Sequence, residues 1–211
     1  MRFDREQLRM VFALFVVAAI AAILLGLTDM LTREPIAEAQ KQALHRALEQ
    51  VLPAHGNDPQ AQVVNVAGTA IYPARVHGAL AALAWEVIAP DGYSGRIRIL
   101  VGVHPDGHVL AIRITDHKET PGLGDGIVGN QPWLDSFRDR SLDNVRWQVK
   151  KDGGDFDQFT GATITPRAVV RAVKAALLFY RHNRAAIVAR LNGEAKAPQA
   201  AGSNGSEGGD E

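Results

Sequence analysis

The chain has no cysteine. That absence removes disulfides, a lipid-modified N-terminal cysteine, thiolate nucleophiles and cysteine-ligated iron–sulfur clusters. It leaves the compartment open, because a domain of this size holds together without covalent staples. Net charge is missing as well, with 23 Lys and Arg against 23 Asp and Glu. A nucleic-acid binder needs a basic surface, so no nucleic acid is expected as a partner. The seven histidines form no metal set: His104 and His108 are four apart, but they flank a Pro-Asp-Gly turn, and no H-E-x-x-H spacing exists. Nor is there a G-x-S-x-G elbow to argue for a serine hydrolase. What remains in 211 residues is room for one well-buried domain and some extra segments.

One long apolar run is present. Residues 10–28 carry no charge and are nearly all apolar, with Arg9 and Asp29 at their ends. As a helix this stretch reaches about 28 Å, close to the hydrocarbon thickness of a bilayer. A cleaved signal peptide is the competing reading. The small-residue pattern Ala37-Glu38-Ala39 lies well beyond the run with acidic residues between, so an uncleaved transmembrane helix is expected. In residues 1–9, Arg2, Arg5 and Arg9 outnumber Asp4 and Glu6. That flank is expected in the cytoplasm and the bulk of the chain outside it, which in a bacterial cell is the periplasmic side of the inner membrane. Arg33-Glu34-Pro35 is expected to end the span. Residues 36–52 read as a separate amphipathic helix with Leu44, Leu48, Val51 and Leu52 on one face.

The middle of the chain alternates. Residues 79–88 form a strand candidate with Trp85 and Val87 on one face. In residues 96–103, Ile97, Ile99, Val101 and Val103 face one way, and Arg96 and Arg98 the other. Residues 109–115 place Leu110, Ile112 and Ile114 inward. Turn signals at Pro90-Asp91-Gly92 and His104-Pro105-Asp106-Gly107 separate these runs, so an antiparallel meander is expected. Shorter candidates lie at 63–66, 70–72 and 145–149. The run Gly124-Asp125-Gly126-Ile127-Val128-Gly129 matches G-x-G-x-x-G, but no strand leads directly into it and Asn130-Gln131-Pro132 follows where a helix should continue. It is not a dinucleotide site. Asp152, Asp155 and Asp157 suggest calcium, yet the twelfth position from Asp152 is Thr163, not a bidentate Glu.

The densest chemistry lies in Asp157-Gln158-Phe159-Thr160-Gly161-Ala162-Thr163-Ile164-Thr165-Pro166. Residues 165–183 follow as a helix, with Val169, Val170, Val173, Leu177 and Tyr180 at helical spacing; residues 185–191 extend it or form a second one. Thr165 is expected to cap that helix and Pro166 to take its first position. Thr163 then lies just outside a helix N-terminus, where unpaired N–H groups favour a phosphate. Gly161 and Ala162 let the backbone approach a bulky group. A capping loop with no ligand is the bland alternative. Beyond residue 191 the sequence becomes Gly, Ala, Ser and acid rich, and residues 192–211 are expected to be a disordered tail.

Three stretches together carry a resemblance: Asp-x-x-Thr-Gly-Ala-Thr ending at Thr163, Gly92-Tyr93-Ser94-Gly95, and His117-Lys118-Glu119-Thr120-Pro121-Gly122-Leu123-Gly124-Asp125. They resemble the FMN-binding domain family. With the N-terminal membrane helix they are similar to the G subunits of Rnf-type (Rsx-type) electron-transport complexes over roughly residues 10–191. The C subunit of the sodium-pumping NADH:quinone reductase is the nearest competitor. The resemblance implies that a flavin transferase joins FMN to the Thr163 hydroxyl through a phosphodiester, Asp157 being part of what it recognises. It also implies that the cofactor-binding set comprises Thr163, Thr160, Gly161, Ala162, Thr165, Glu119, Thr120, Leu123 and Tyr93. In this reading Glu119 and Thr120 give polar contacts to the flavin and Leu123 an apolar surface for its ring. No catalytic acid or base is needed, because the subunit relays electrons.

The expected fold is α+β: a transmembrane helix at 10–28, then an extracytoplasmic FMN-binding domain at 29–191 with an antiparallel sheet packed by helices. The implied function is an electron carrier, rather than a stand-alone enzyme, in a complex coupling ferredoxin and NAD redox chemistry to ion movement. Its partners are the other membrane and peripheral subunits, the transferase during maturation, and membrane lipid. The alternatives are the quinone-reductase subunit, a complex reducing a redox-sensing regulator, and a flavin-free assembly module.

Overall fold

In the computed structural model, which describes residues 5–194, the chain begins with one unbroken helix, α1 (Arg5–Val51). The chain divides into two units, Met1–Arg46 and Ala47–Glu211. In the first, Leu8, Phe12, Phe15, Ile23, Leu25 and Leu31 stand exposed along the helix. A helix that is apolar all round and has no protein over it is one that a bilayer would cover. Its length and composition suffice to cross a membrane. Inside it the Thr28 and Thr32 hydroxyls donate to the Leu24 and Thr28 carbonyls, each at 2.8 Å, so neither presents a bare polar group to lipid. The expected break at Arg33-Glu34-Pro35 does not occur, and Pro35 lies within α1. Proline removes one N–H, and so one hydrogen bond, from the helix. The strong helix formers after it (Ala37, Glu38, Ala39, Lys41, Ala43 and Leu44) carry the helix on.

The second unit holds an antiparallel five-stranded meander in the order β1 to β5: β1 (Val64–Val66), β2 (Thr69–Val76), β3 (Ala79–Ala89), β4 (Ile97–Val103) and β5 (Val109–Asp116). Register aligns Val64, Ile71, Trp85, Val101 and Ile112 in one row across all five strands. Every member of that row is buried. Against this face lies the last and longest helix of the unit, Ile164–Glu194, through Val169, Val173, Leu177 and Tyr180. Two short helices precede it in the chain, α2 (Gly126–Gly129) and α3 (Gln131–Asp135), so it is α4. The Tyr180 ring stacks on Trp85 with centroids 5.8 Å apart. The helical stripe expected from the sequence is therefore core packing. Residues 192–194 continue α4 where a disordered tail was expected to begin; the remainder of that tail, and residues 1–4, lie outside the described residues.

The opposite face presents small residues, with Ala74, Ala82, Ala84 and Leu100 buried around Gly102. The end of α1, residues 47–52, lies on it: a Cβ on Gly102 would overlap the Val51 carbonyl. Leu48, Val51 and Leu52 are buried there.

Three local expectations need correction. The β2 strand runs four residues past Tyr72 and includes Pro73. Because β1 pairs only as far as Ile71, Pro73 lies beyond the ladder, where its missing N–H breaks no strand pairing and its carbonyl accepts from Asn57 Nδ2 at 2.8 Å. In β5, a register shift between Gly102 and Val103 pairs Val103 with Val109 and bulges Leu110 out. Val109 is buried and Leu110 only half-buried, reversing the expected alternation at that end. Residues 145–149 are not a strand. Trp147 and Val149 are buried as the alternation suggested, but the segment makes a single bridge, Val149 to Phe156, and spends its other backbone groups on the glycine-rich loop that follows.

Candidate functional site

Three loops converge at the start of α4. The first connects β3 to β4 and carries Gly92-Tyr93-Ser94-Gly95. The second leaves β5 as residues 117–125 and runs into α2 and α3. Those four-residue and five-residue pieces, broken at Asn130, replace the long helix that a dinucleotide fingerprint would require. The third is the turn before α4. Ala162 N–H donates to the Phe159 carbonyl at 3.1 Å, closing a turn in which Gly161 has φ +80. A side chain at that φ is strained, so glycine is what the turn requires.

The helix starts at Ile164, one residue before the expected position. Thr163 therefore takes the place just before the first helical residue, and Pro166 falls third, where its absent N–H is still one of the unpaired set. The expected cap, Thr165, does not cap. Its side chain is 1% exposed and its hydroxyl donates to Glu119 Oε2.

Every site residue nominated from the sequence except Thr160 lines one cleft of about 150 Å³, open to solvent at its mouth. Tyr93 and Leu123 supply its apolar edges, exposed at 70% and 52%. Glu119 lies at the bottom at 4% exposure, and Thr120 on the rim. From the α4 side come Gly161, Ala162, Thr163 and Thr165. Thr160 is exposed and stands outside the lining set. Two lining residues were missed, Gly124 and Ile164. The signal for Gly124 is steric and appears only in three dimensions: a Cβ there would sit 2.8 Å from Glu119 Oε2 and 3.1 Å from Thr165 Oγ1. Ile164 is a large apolar residue left 44% exposed on the first turn of a helix whose other apolar residues form the core.

The scaffold behind Thr163 is held from two sides. Arg167, one turn into α4, forks onto Asp152 at 2.6 and 2.9 Å. Its guanidinium holds the Asp152 carboxyl below the ordinary value. Asp157 carries an exposed ion pair to Lys150 at 2.7 Å, while its carbonyl accepts from Trp133 Nε1 at 2.8 Å. Trp133 belongs to a ladder of rings in which its centroid lies 5.2 Å from Phe159 and 5.0 Å from Phe137. Phe137 in turn stacks on Phe156 at 4.6 Å. Aromatic pairs at these spacings stabilise by geometry as well as area, so the segment from Phe156 to Phe159 is anchored and only the turn beyond it is open.

The comparisons with known proteins bear on this cleft. A family model described as the FMN-binding domain matches residues 92–178, which contain all three loops. A second, described as the RnfG N-terminal region, matches residues 5–51. A protein of Pseudomonas aeruginosa (strain UCBPP-PA14), named as the G subunit of the ion-translocating oxidoreductase complex, is 44% identical over 200 residues, covering 88% of this chain and 94% of its own. Proteins of the same name from Aliivibrio fischeri (strain ES114) and Shewanella amazonensis are 45% and 46% identical; they cover 89% and 82% of this chain and 96% and 86% of their own. A solved structure titled "Crystal structure of Shewanella oneidensis NqrC" is similar over 50% of this chain and 54% of its own, at 26% identity and a TM-score of 0.43.

Proposed function

The chain belongs to the family of G subunits of the ion-translocating oxidoreductase complex and contains its FMN-binding domain, and from that premise we propose that it is a membrane-anchored electron carrier holding FMN covalently on Thr163. One observation carries the attachment site. Of the three threonines in the run, Thr160 lies outside the cleft and Thr165 is buried with its hydroxyl committed to Glu119. Thr163 is half-buried, lines the cleft, and makes no side-chain hydrogen bond among the described residues.

The residues present fit the group. At about 150 Å³ the cleft is smaller than the roughly 300–1,000 Å³ of a site that encloses a whole small molecule, so it would seat one part of the cofactor and leave the rest at the open mouth. Tyr93, Leu123 and Ile164 leave apolar surface open for a flat ring. The first N–H groups of α4 have no intrahelical partner, which favours a phosphate beside Thr163. Thr120 offers a hydroxyl on the opposite rim. Attachment requires an activated flavin phosphate. Thr163 would give up its hydroxyl proton and its Oγ1 would take the phosphoryl group of an activated flavin phosphate, whose pyrophosphate link would break and release a nucleoside monophosphate. A flavin transferase supplies that reaction. When bound, the flavin accepts one or two electrons, which suits a carrier between unlike redox partners. The chain's own contribution is to tether the cofactor, keep water from one side of the cleft, and fix the ring against Tyr93 and Leu123.

The basic flank Arg5 and Arg9 before the apolar stretch of α1 supports an N-terminus in the cytoplasm. The unit from Ala47 onward then faces the periplasm, and the partners are the other subunits of a complex that couples ferredoxin and NAD redox chemistry to ion movement. Intact and peptide mass spectrometry on full-length protein, exported in the presence of an active flavin transferase, tests the reading. The expected result is FMN mass on the peptide containing Thr163 and its loss in Thr163→Val. Covalent flavin that persists in Thr163→Val refutes the assignment.

A further inference from the structure

We propose that Glu119 is a positioning residue that assembles the cleft before any flavin arrives, and that it selects which threonine remains free for attachment; the second half rests on the attachment reading above. Glu119 is 4% exposed, and both of its carboxylate oxygens are already engaged. Oε1 accepts from the Ser94 N–H at 2.9 Å, across 25 residues of sequence. Oε2 accepts from the Thr165 hydroxyl, across 46 residues. One side chain therefore ties the β3–β4 turn, the loop after β5 and the first turn of α4 to one point.

Two glycines make room for it. A Cβ on Gly92 would lie 2.9 Å from Oε1, and one on Gly124 would lie 2.8 Å from Oε2. Both oxygens thus lie against glycine positions that leave no room for a side chain. Among the described residues no Lys, Arg or His side chain lies within ion-pair distance of this carboxyl, so its compensation comes from the N–H, the hydroxyl and the nearby start of α4. A polar group buried this deeply loses heavily when a partner is removed. The bridge also uses up the Thr165 hydroxyl. Thr165 is two positions from Thr163 on the same cleft wall, and its bond to Glu119, together with its burial, takes its Oγ1 out of contention.

The test begins with full-length protein in detergent, made without a flavin transferase. Glu119→Ala and Thr165→Val are expected to lower the flavin-free Tm by about 5 °C or more. The conservative variants restore the bridge. Glu119→Gln can accept from Ser94 N–H through its oxygen and donate to Thr165 through its amide, and Thr165→Ser keeps the hydroxyl. Both are expected to melt within about 2 °C of the wild type. The same proteins are then made with an active transferase. At a temperature where all are folded, Glu119→Ala and Thr165→Val should take FMN on Thr163 slower by on the order of tenfold. Glu119→Gln and Thr165→Ser should attach at nearly the wild-type rate. Ile71→Val, a core change outside the cleft, should lose Tm and keep the rate.

An unchanged flavin-free Tm in both Glu119→Ala and Thr165→Val overturns the bridge and makes Glu119 a flavin contact instead. A lowered Tm with unaffected attachment reduces it to a fold residue and overturns the positioning role. If the wild type itself carries no FMN on Thr163, the proposed function fails, while the flavin-free melting series still decides whether the bridge exists.

Discussion

Replacing Gly102 with alanine tests whether the end of α1 rests on the sheet. The built Cβ overlaps the Val51 carbonyl oxygen and lies 2.9 Å from its carbon and 3.1 Å from Cβ of the same residue. Two of those three atoms are backbone, so no rotamer change relieves the overlap. Gly102 does not have a positive φ, and alanine there gains about 0.4–1 kcal/mol by restricting the unfolded chain. Against that stands the cost of overpacking, about 1–3 kcal/mol. Lifting residues 47–52 instead would expose Leu48, Val51 and Leu52, which are 1%, 2% and 7% exposed, at up to about 1.5–3 kcal/mol for each fully uncovered side chain. Local strain is the cheaper route, and the net loss is about 1 kcal/mol, or roughly 2–4 °C in Tm for a domain of this size. Tryptophan fluorescence reports the transition cleanly, because Trp85, Trp133 and Trp147 are all buried. Gly129→Ala, where a Cβ meets nothing within 4 Å, is the control and should melt at or above the wild-type temperature. If Gly102→Ala melts with the control, the packing of α1 against the alanine-lined face is wrong.

Two further outcomes follow from local geometry. Gly161→Ala adds a Cβ that meets only Leu123 Cδ2 at 3.7 Å, but φ is +80, so the cost is left-handed strain of about 1–2 kcal/mol; a Tm lower by a few degrees, with slower flavin attachment at Thr163, is expected, and a wild-type melt would contradict it. Asp106 accepts from His104 Nδ1 at 3.1 Å, His108 Nδ1 at 3.0 Å and the His108 N–H at 3.0 Å. Partial desolvation raises its pKa, but the His108 backbone and the two imidazoles outweigh that and bring it down to about 2. A depressed folded pKa gives stability that is complete above the ordinary carboxylate value, about pH 4, and is lost as pH falls through about 2. Because the pair is half exposed, screening keeps this at or below about 1 kcal/mol; Asp106→Asn should flatten the acid limb of a stability–pH series, and parallel curves would remove the assignment.

The parts of this fold that the sequence displays are those where one face of a strand is buried and the pattern has nothing to compete with it. Ile97, Ile99, Val101 and Val103 face α4, and their alternation survives although the end of α1 also buries Leu100 and Gly102 on the other side. The pattern fails where a second physical effect decides. Pro73 reads as a strand breaker, and is tolerated only because β1 is too short to reach it. Leu110 keeps its alternation on paper, yet a bulge hands its place to Val109. Trp147 and Val149 alternate as a strand does, but the chain there has no partner strand to pair with and folds back on its own loop. Pro35 marks an expected helix end that the continuing helix formers override.

The site divides the same way, and its three threonines show why. Thr160, Thr163 and Thr165 carry the same hydroxyl within six positions, and local propensity favours Thr165 as a cap because Pro166 follows it. That argument treats the turn as isolated. In the fold, a carboxyl 46 residues away binds the hydroxyl that would have capped, and the helix begins one residue earlier to accommodate it. Thr163, expected just outside the helix, becomes the residue directly before it. Gly124 belongs to the same device: it looks like a turn residue, yet a side chain there would collide with Glu119, whereas one at Gly92 would strike the Gly95 carbonyl first, at 2.3 Å, and Glu119 at 2.9 Å. Nearness in sequence therefore nominates the residues of the cleft, but their separate roles are set by one buried contact that no local pattern contains.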